Sequence, residues 1–300
     1  MSGGGGGGEG GGGGGEGLVK STFSLASHLN QRADLVQRIF SFHKTRNPKE
    51  YINLRSSSKL FHRALHQPPP LWTSFPHSNH PTLQSLVNRL EELRDDEESS
   101  GNVPSVLFIE EGEYGGGGTL PPFQSRYYIN VKKPLSIYGA GRGKTTLVGV
   151  GLRIQGNYKS EGIVEIEELT IKGGEVDGLC ALNGMNVIMR GCTVEECQRY
   201  GVLANSGIIS CDDLQVVGCG ESGVIATNSA TITLSGQGTS IQRNVTRGNI
   251  YHYGLYTDSS SDHIHLVHPL TKEEISTNNG GGGNWFSRVG TSNIKQVSKK

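Results

Sequence analysis

The chain reads as mainly β: a parallel β-helix, preceded by an α-helical segment and a glycine-rich disordered tail. Three observations predict this. Glycines recur in Asp177-Gly178-Leu179, Tyr200-Gly201-Val202, Ser222-Gly223-Val224 and Tyr253-Gly254-Leu255, at steps of 23, 22 and 31 residues. A second ladder (Leu169-Thr170-Ile171, Cys192-Thr193-Val194, Leu214-Gln215-Val216) keeps the steps of 23 and 22, and Cys197 and Cys219 also lie 22 apart. The β-rich runs between these marks are short, as they are when each coil gives one strand to each face and neighbouring coils stack about 4.8 Å apart.

In chain order, residues 1–20 form the tail: 13 of the 45 glycines fall in the first 17 positions, interrupted only by Glu9 and Glu16. Such a tract buries nothing and is expensive to order. Residues 21–80 have a helical pattern. Leu35, Val36, Ile39, Phe40 and Phe42 mark one apolar stripe. Asn47-Pro48-Lys49-Glu50 is a helix start, and Tyr51, Leu54, Leu60, Phe61, Ala64 and Leu65 continue the pattern beside a basic face of Arg55, Lys59, His62 and Arg63. Pro68-Pro69-Pro70 stops it, and Leu71-Trp72 is expected to fold back onto the helices.

Residues 81–300 are the β-helix. A capping helix from Thr82 carries Leu83, Leu86, Val87, Leu90 and Leu93 on one face, and Val106-Leu107-Phe108-Ile109 is the expected first strand. Ile171, Leu179, Val187, Val194, Val202, Ile208, Val216, Val224 and Ile232 are the expected inward residues, each contributing about 1.5–3 kcal/mol when buried. Asn183 and Asn228 are expected to stack as an amide ladder, while Gly280–Gly283 with Trp285-Phe286 are read as the far cap.

Composition narrows the function classes. Lys plus Arg number 28 and Asp plus Glu 28, so the chain lacks the positive excess that nucleic-acid binding draws on. No stretch approaches the roughly 20 apolar residues of a membrane span. Five cysteines without an apparent secretion signal read as reduced thiols in a cytoplasmic or nuclear protein, where the lone sequon Asn244-Val245-Thr246 has no secretory context.

Residues 35–72 resemble an F-box: an apolar helix, then Ser58-Lys59-Leu60-Phe61-His62-Arg63, then Leu71-Trp72, with Ala33-Asp34 where that family has Leu-Pro. The resemblance implies docking on a Skp-type adaptor of a cullin ubiquitin ligase through Leu35, Ile39, Phe42, Leu54, Lys59, Phe61, Arg63 and Trp72. Residues 82–286 resemble the right-handed parallel β-helix family related to pectate lyases, through Ile109-Glu110-Glu111-Gly112-Glu113-Tyr114, the glycine turn Ile137–Gly143 and the repeated coils. F-box proteins that carry such repeats use them to recognise a ligase substrate.

Chemistry-bearing motifs point away from catalysis. Gly141-Arg142-Gly143-Lys144-Thr145-Thr146 has Tyr138 where a phosphate loop needs its first glycine, and a strand pattern where that loop needs a helix. Asp212 and Asp213 are adjacent, so a strand would send them to opposite faces. His263 and His265 share a strand face but lack a completing ligand set, and Cys197 and Cys219 read as stacked interior thiols. The expectation is therefore a noncatalytic adaptor without metal or cofactor, whose β-helix binds a protein or glycan. A stand-alone binding module is the alternative, and a polysaccharide lyase or hydrolase a remote one.

Overall fold

The computed structural model describes residues 72–96, 103–115, 127–156, 162–183, 185–290 and 293–298. Leu35, Ile39, Phe42, Leu54, Lys59, Phe61 and Arg63, and with them most of the F-box-like segment, lie outside these residues.

Three parallel sheets run the length of the described chain. Sheet A stacks β1 (Trp72–Phe75), β2 (Val106–Ile109), β5 (Leu135–Tyr138), β8 (Ile163–Glu167), β11 (Asn186–Arg190), β14 (Ile208–Asp212), β17 (Thr231–Ser235), β20 (His263–Val267) and β23 (Ile294–Val297). Sheet C stacks β3 (Gly112–Gly115), β6 (Thr145–Val148), β9 (Thr170–Lys172), β12 (Thr193–Glu195), β15 (Gln215–Val217), β18 (Ser240–Gln242) and β21 (Ser276–Thr277). Sheet D stacks β4 (Tyr128–Val131), β7 (Gly151–Gln155), β10 (Leu179–Leu182), β13 (Val202–Asn205), β16 (Val224–Thr227), β19 (Leu255–Thr257) and β22 (Trp285–Ser287). The chain visits A, then C, then D, and repeats: a parallel β-helix of seven complete coils with one extra sheet-A strand at each end.

The interior consists of columns. Leu107, Ile137, Ile166, Met189, Cys211, Leu234 and Leu266 line up in sheet A, and Ile171, Val194, Val216 and Ile241 in sheet C, none more than 2% exposed. One coil could not bury these side chains; stacked coils bury them against each other. Eight of the nine expected inward residues are buried, but Ile208 is 51% exposed and Ile209 points in instead. Two consecutive isoleucines leave the phase of a two-residue alternation open, and the in-register pairing of Ile209 with Val187 decides it.

Corners explain the repeated glycines. A Cβ on Gly178 would collide with Val194 Cγ1, one on Gly201 with Val216 Cγ1, and one on Gly223 would lie 2.6 Å from Ile241 Cγ2. These glycines turn the chain from sheet C into sheet D against the core. A second set of corner residues is left-handed: Gly149, Gly173, Glu196, Gly218, Arg243 and Asn278 occupy equivalent places after sheet C, all with positive φ.

The capping helix is α1 (Leu83–Asp95), with Thr82 as N-cap accepting from the Ser85 N–H and Leu83, Leu86, Val87 and Leu90 buried. It also blunts the open edge of sheet D: the Asn130 N–H donates to Gln84 Oε1 at 2.6 Å and the Lys132 N–H to Glu91 Oε1 at 2.5 Å.

Both expected boundaries move. β1 precedes Val106–Ile109, with Trp72 paired to Val106, so the β-helix begins before residue 81 and Trp72 belongs to its first strand. Trp285-Phe286 form a strand of sheet D in register with Leu255-Tyr256 and so continue the stack. Trp285 packs on the core, and Lys272 of α2 (Lys272–Ile275) lies 3.8 Å from its ring.

Candidate binding face

The outer face of sheet D and its corners with sheet C gather a set of aromatic and charged groups. Asp177, Tyr200, Ser222 and Tyr253 each precede a corner glycine and therefore stack; Arg199, Glu221 and His252 stand one residue earlier. The Tyr128 hydroxyl donates to Asp177 Oδ2 at 2.6 Å, and the Tyr200 N–H donates to Asp177 Oδ1 at 3.3 Å. Arg199 bridges the coils, with Nε 4.0 Å from Asp177 and 3.7 Å from Glu221. Asp177 is 2% exposed. Burial pushes its carboxyl pKa up, against the opposing pull of the Tyr128 hydroxyl and Arg199. Burial likewise raises the Tyr128 hydroxyl, with the Asp177 carboxylate adding to the shift.

Farther along, Tyr253 stacks on Phe286 with centroids 4.7 Å apart, and Tyr256 lies 5.6 Å from Tyr253. Their planes differ by 16° and 25°. The Tyr256 hydroxyl donates to Asp258, which also pairs with Arg288 at 3.1 Å. Ser222 Oγ, fully buried, accepts from the Tyr253 N–H and lies 3.4 Å from His252 Nδ1. The effect is a stiff surface whose carboxylates already have partners within the protein.

An asparagine ladder underpins this corner. Asn244, 1% exposed, accepts from the Cys219 N–H at 3.0 Å and donates to Val216 O at 3.1 Å. Its own N–H and side-chain amide donate to Asn279 Oδ1, and Asn279 donates onward to Ile241 O at 3.0 Å. Asn183 and Asn228 form no such ladder with each other: Ser206 occupies the level between them, and Asn228 Nδ2 donates to Asn205 Oδ1 at 2.8 Å. The sequon asparagine is thus a core residue.

The remaining motifs are structural corners or faces. Gly139–Lys144 is the corner from sheet A into sheet C, where the Gly143 N–H donates to Thr170 Oγ1 and Arg142 donates to Gly191 O at 3.2 Å and to Asp213 O. A groove of about 650 Å³ beside it is lined by Arg142, Glu168, Gly191, Asp213, Gln237 and Gly238. Asp212 ends β14, and Asp213 turns with φ 53°, accepting from the Gly238 N–H. His263 and His265 share the outer face of sheet A, their rings 5.7 Å apart. Cys197 and Cys219 stack inside, each no more than 1% exposed.

No family model matches this sequence, and no curated protein matches it. Among solved structures it is similar to Geobacillus virus E2 ORF18, with 14% identity, a TM-score of 0.46, and coverage of 71% of this chain and 42% of that one. It is also similar to the catalytic domain of a GH87 alpha-1,3-glucanase in complex with nigerose, at 14% identity and TM-score 0.30, over 77% and 46% of the two chains. The A-module of the Azotobacter vinelandii mannuronan C-5 epimerase AlgE6 is similar at 12% identity and TM-score 0.24, over 75% and 98%. The chain spans less than half the length of the first two.

Proposed function

We propose that this chain is a noncatalytic recognition adaptor of the cytosol or nucleus. Its F-box-like segment docks a Skp-type adaptor, and its β-helix holds the substrate on the sheet-D face. The observation that carries the recognition half is the stacked set Tyr253, Tyr256 and Phe286 beside Asp258, which is engaged by Tyr256 and Arg288. Hydrolysis of a glycosidic bond needs two carboxylates free to act across it. Here Asp177 is buried beneath Tyr128, and Glu221 is tied to Arg199. Preorganised aromatic surface, by contrast, favours binding because little side-chain freedom remains to be lost.

The adaptor half rests on the resemblance of residues 35–72. Co-purification of the full chain with a Skp-type adaptor tests it: binding is expected for the parent and lost in Leu35→Asp with Ile39→Asp. Equal capture of both would remove the ligase reading and leave a stand-alone binding module.

A further inference from the structure

The longest step between corner glycines, Gly223 to Gly254, is taken up mostly by an excursion over residues 243–253. At its tip Ile250 is 62% and Tyr251 73% exposed. Ordering a mobile segment on binding would cost entropy. This excursion is instead fastened along its length. The Val245, Thr246 and Arg247 N–H groups donate to Glu221 O, Cys219 O and Gly220 O at 3.0–3.2 Å. The Tyr251 N–H donates to Asn249 Oδ1, and the Gly282 N–H donates to His252 O. The Asn244 ladder fixes its root, and Tyr253 at its end stacks on Phe286, itself 40% exposed.

Its charge is one-sided. Residues 243–253 include Arg243 and Arg247 and no acid. Among the described residues no carboxylate pairs with either arginine; Arg247 donates to the Gln198 amide oxygen at 3.1 Å. We propose that this ridge binds an acidic linear segment of a partner protein, whose apolar side chains pack on Ile250 and Tyr251 while its Asp or Glu side chains meet Arg243 and Arg247. The 11 residues of the ridge are fewer than the roughly 20–30 a side of a standard globular interface. Two arginines fall short of the roughly four to eight basic residues that hold a protein on anionic lipid. The proposal rests on the recognition reading above and specifies its ligand.

The test is selection of a random phage-displayed peptide library on the full chain, with affinity of resynthesised peptides measured by fluorescence anisotropy. Enriched sequences are expected to place Asp or Glu beside aliphatic or aromatic residues. Ile250→Ser with Tyr251→Ser, and separately Arg243→Gln with Arg247→Gln, should each weaken binding roughly tenfold or more without moving the melting temperature. Added salt should weaken it further. No enrichment, enriched peptides lacking acids, or unchanged affinity in the variants overturns the proposal. So does flotation of the chain with phosphatidylserine vesicles through Ile250 and Tyr251. Loss of Skp-type adaptor capture with peptide binding intact would remove only the ligase reading; the reverse would remove only this site.

Discussion

Replacing Asn244 with alanine isolates the ladder that joins the last coils. The side chain makes three polar contacts, two of them buried: it accepts from Cys219 N–H and donates to Val216 O, and it also donates to Asn279 Oδ1. Truncation leaves the Cys219 N–H and Val216 O without this partner, while Asn279 Oδ1 still accepts from the backbone N–H of residue 244. At about 1–3 kcal/mol for each of the two buried groups left unsatisfied, a loss of about 2–5 kcal/mol is expected. That is a large fraction of the roughly 5–15 kcal/mol that separates folded from unfolded chains. Urea unfolding of parent and variant, followed by circular dichroism with the slope held common, measures it. Asn244→Asp keeps the acceptor for Cys219 and sets a carboxylate against Val216 O, so it should cost at least as much. A loss below about 1 kcal/mol for the alanine variant would show that water or neighbouring amides already serve these groups, and the ladder would have to be abandoned as a stabilising device.

Three further outcomes follow from the same geometry. Gly201→Ala should cost about 2–3 kcal/mol, since its Cβ meets Val216 and lies 2.6 Å from Gly223 O; Gly207→Ala, whose nearest neighbour is at 3.4 Å, should be near neutral, and equal unfolding midpoints would refute the corner account. Asp177 binds its proton more tightly folded than unfolded, so its contribution favours the fold below the ordinary value of 3.8 and is lost as pH rises through the raised folded value. Urea midpoints of parent and Asp177→Asn taken across that acid range should differ in pH slope, and parallel curves would contradict the assignment. Cys192, its thiol pushed up to about 12 by burial, should resist a maleimide in the native state and react only after unfolding, as mass spectrometry of timed samples would reveal.

The architecture was legible where one physical requirement acts alone. Gly178, Gly201 and Gly223 announce the coils because nothing larger fits beside Val194, Val216 and Ile241. Thr82 and the spacing from Leu83 to Leu90 announce α1 because capping and amphipathicity are local. Legibility failed where two requirements compete or a distant partner decides. Ile208 and Ile209 are equal in hydrophobicity, so only the neighbouring strand sets which one enters the core. Glu196 and Arg243 occupy left-handed corners that glycine marks in other coils, which hides those corners from a glycine count. Asn244 stood out only as part of a sequon without secretory context, and its structural role was hidden because its partners, Val216, Cys219 and Asn279, lie on other coils. At the candidate site, Asp177, Tyr200 and Tyr253 were visible as the residues before the corner glycines, but their periodicity carried no hint of which would be buried and which would stack. Trp285 and Phe286 follow a glycine run that masks their register with Leu255 and Tyr256.

The stacking of Glu165, Ile188, Ser210 and Thr233 in one file means that chain length along the axis is counted in whole turns. A gain or loss of 22 or 23 residues between two like corners returns every later side chain to the same orientation, displaced by a single strand spacing. Anything smaller rotates the alternation and must be absorbed in an outer loop, as the 243–253 excursion does. Such a body can therefore be lengthened or shortened by duplication or deletion of a turn, resetting the distance between what is held at one end and what is held at the other without redesigning its interior.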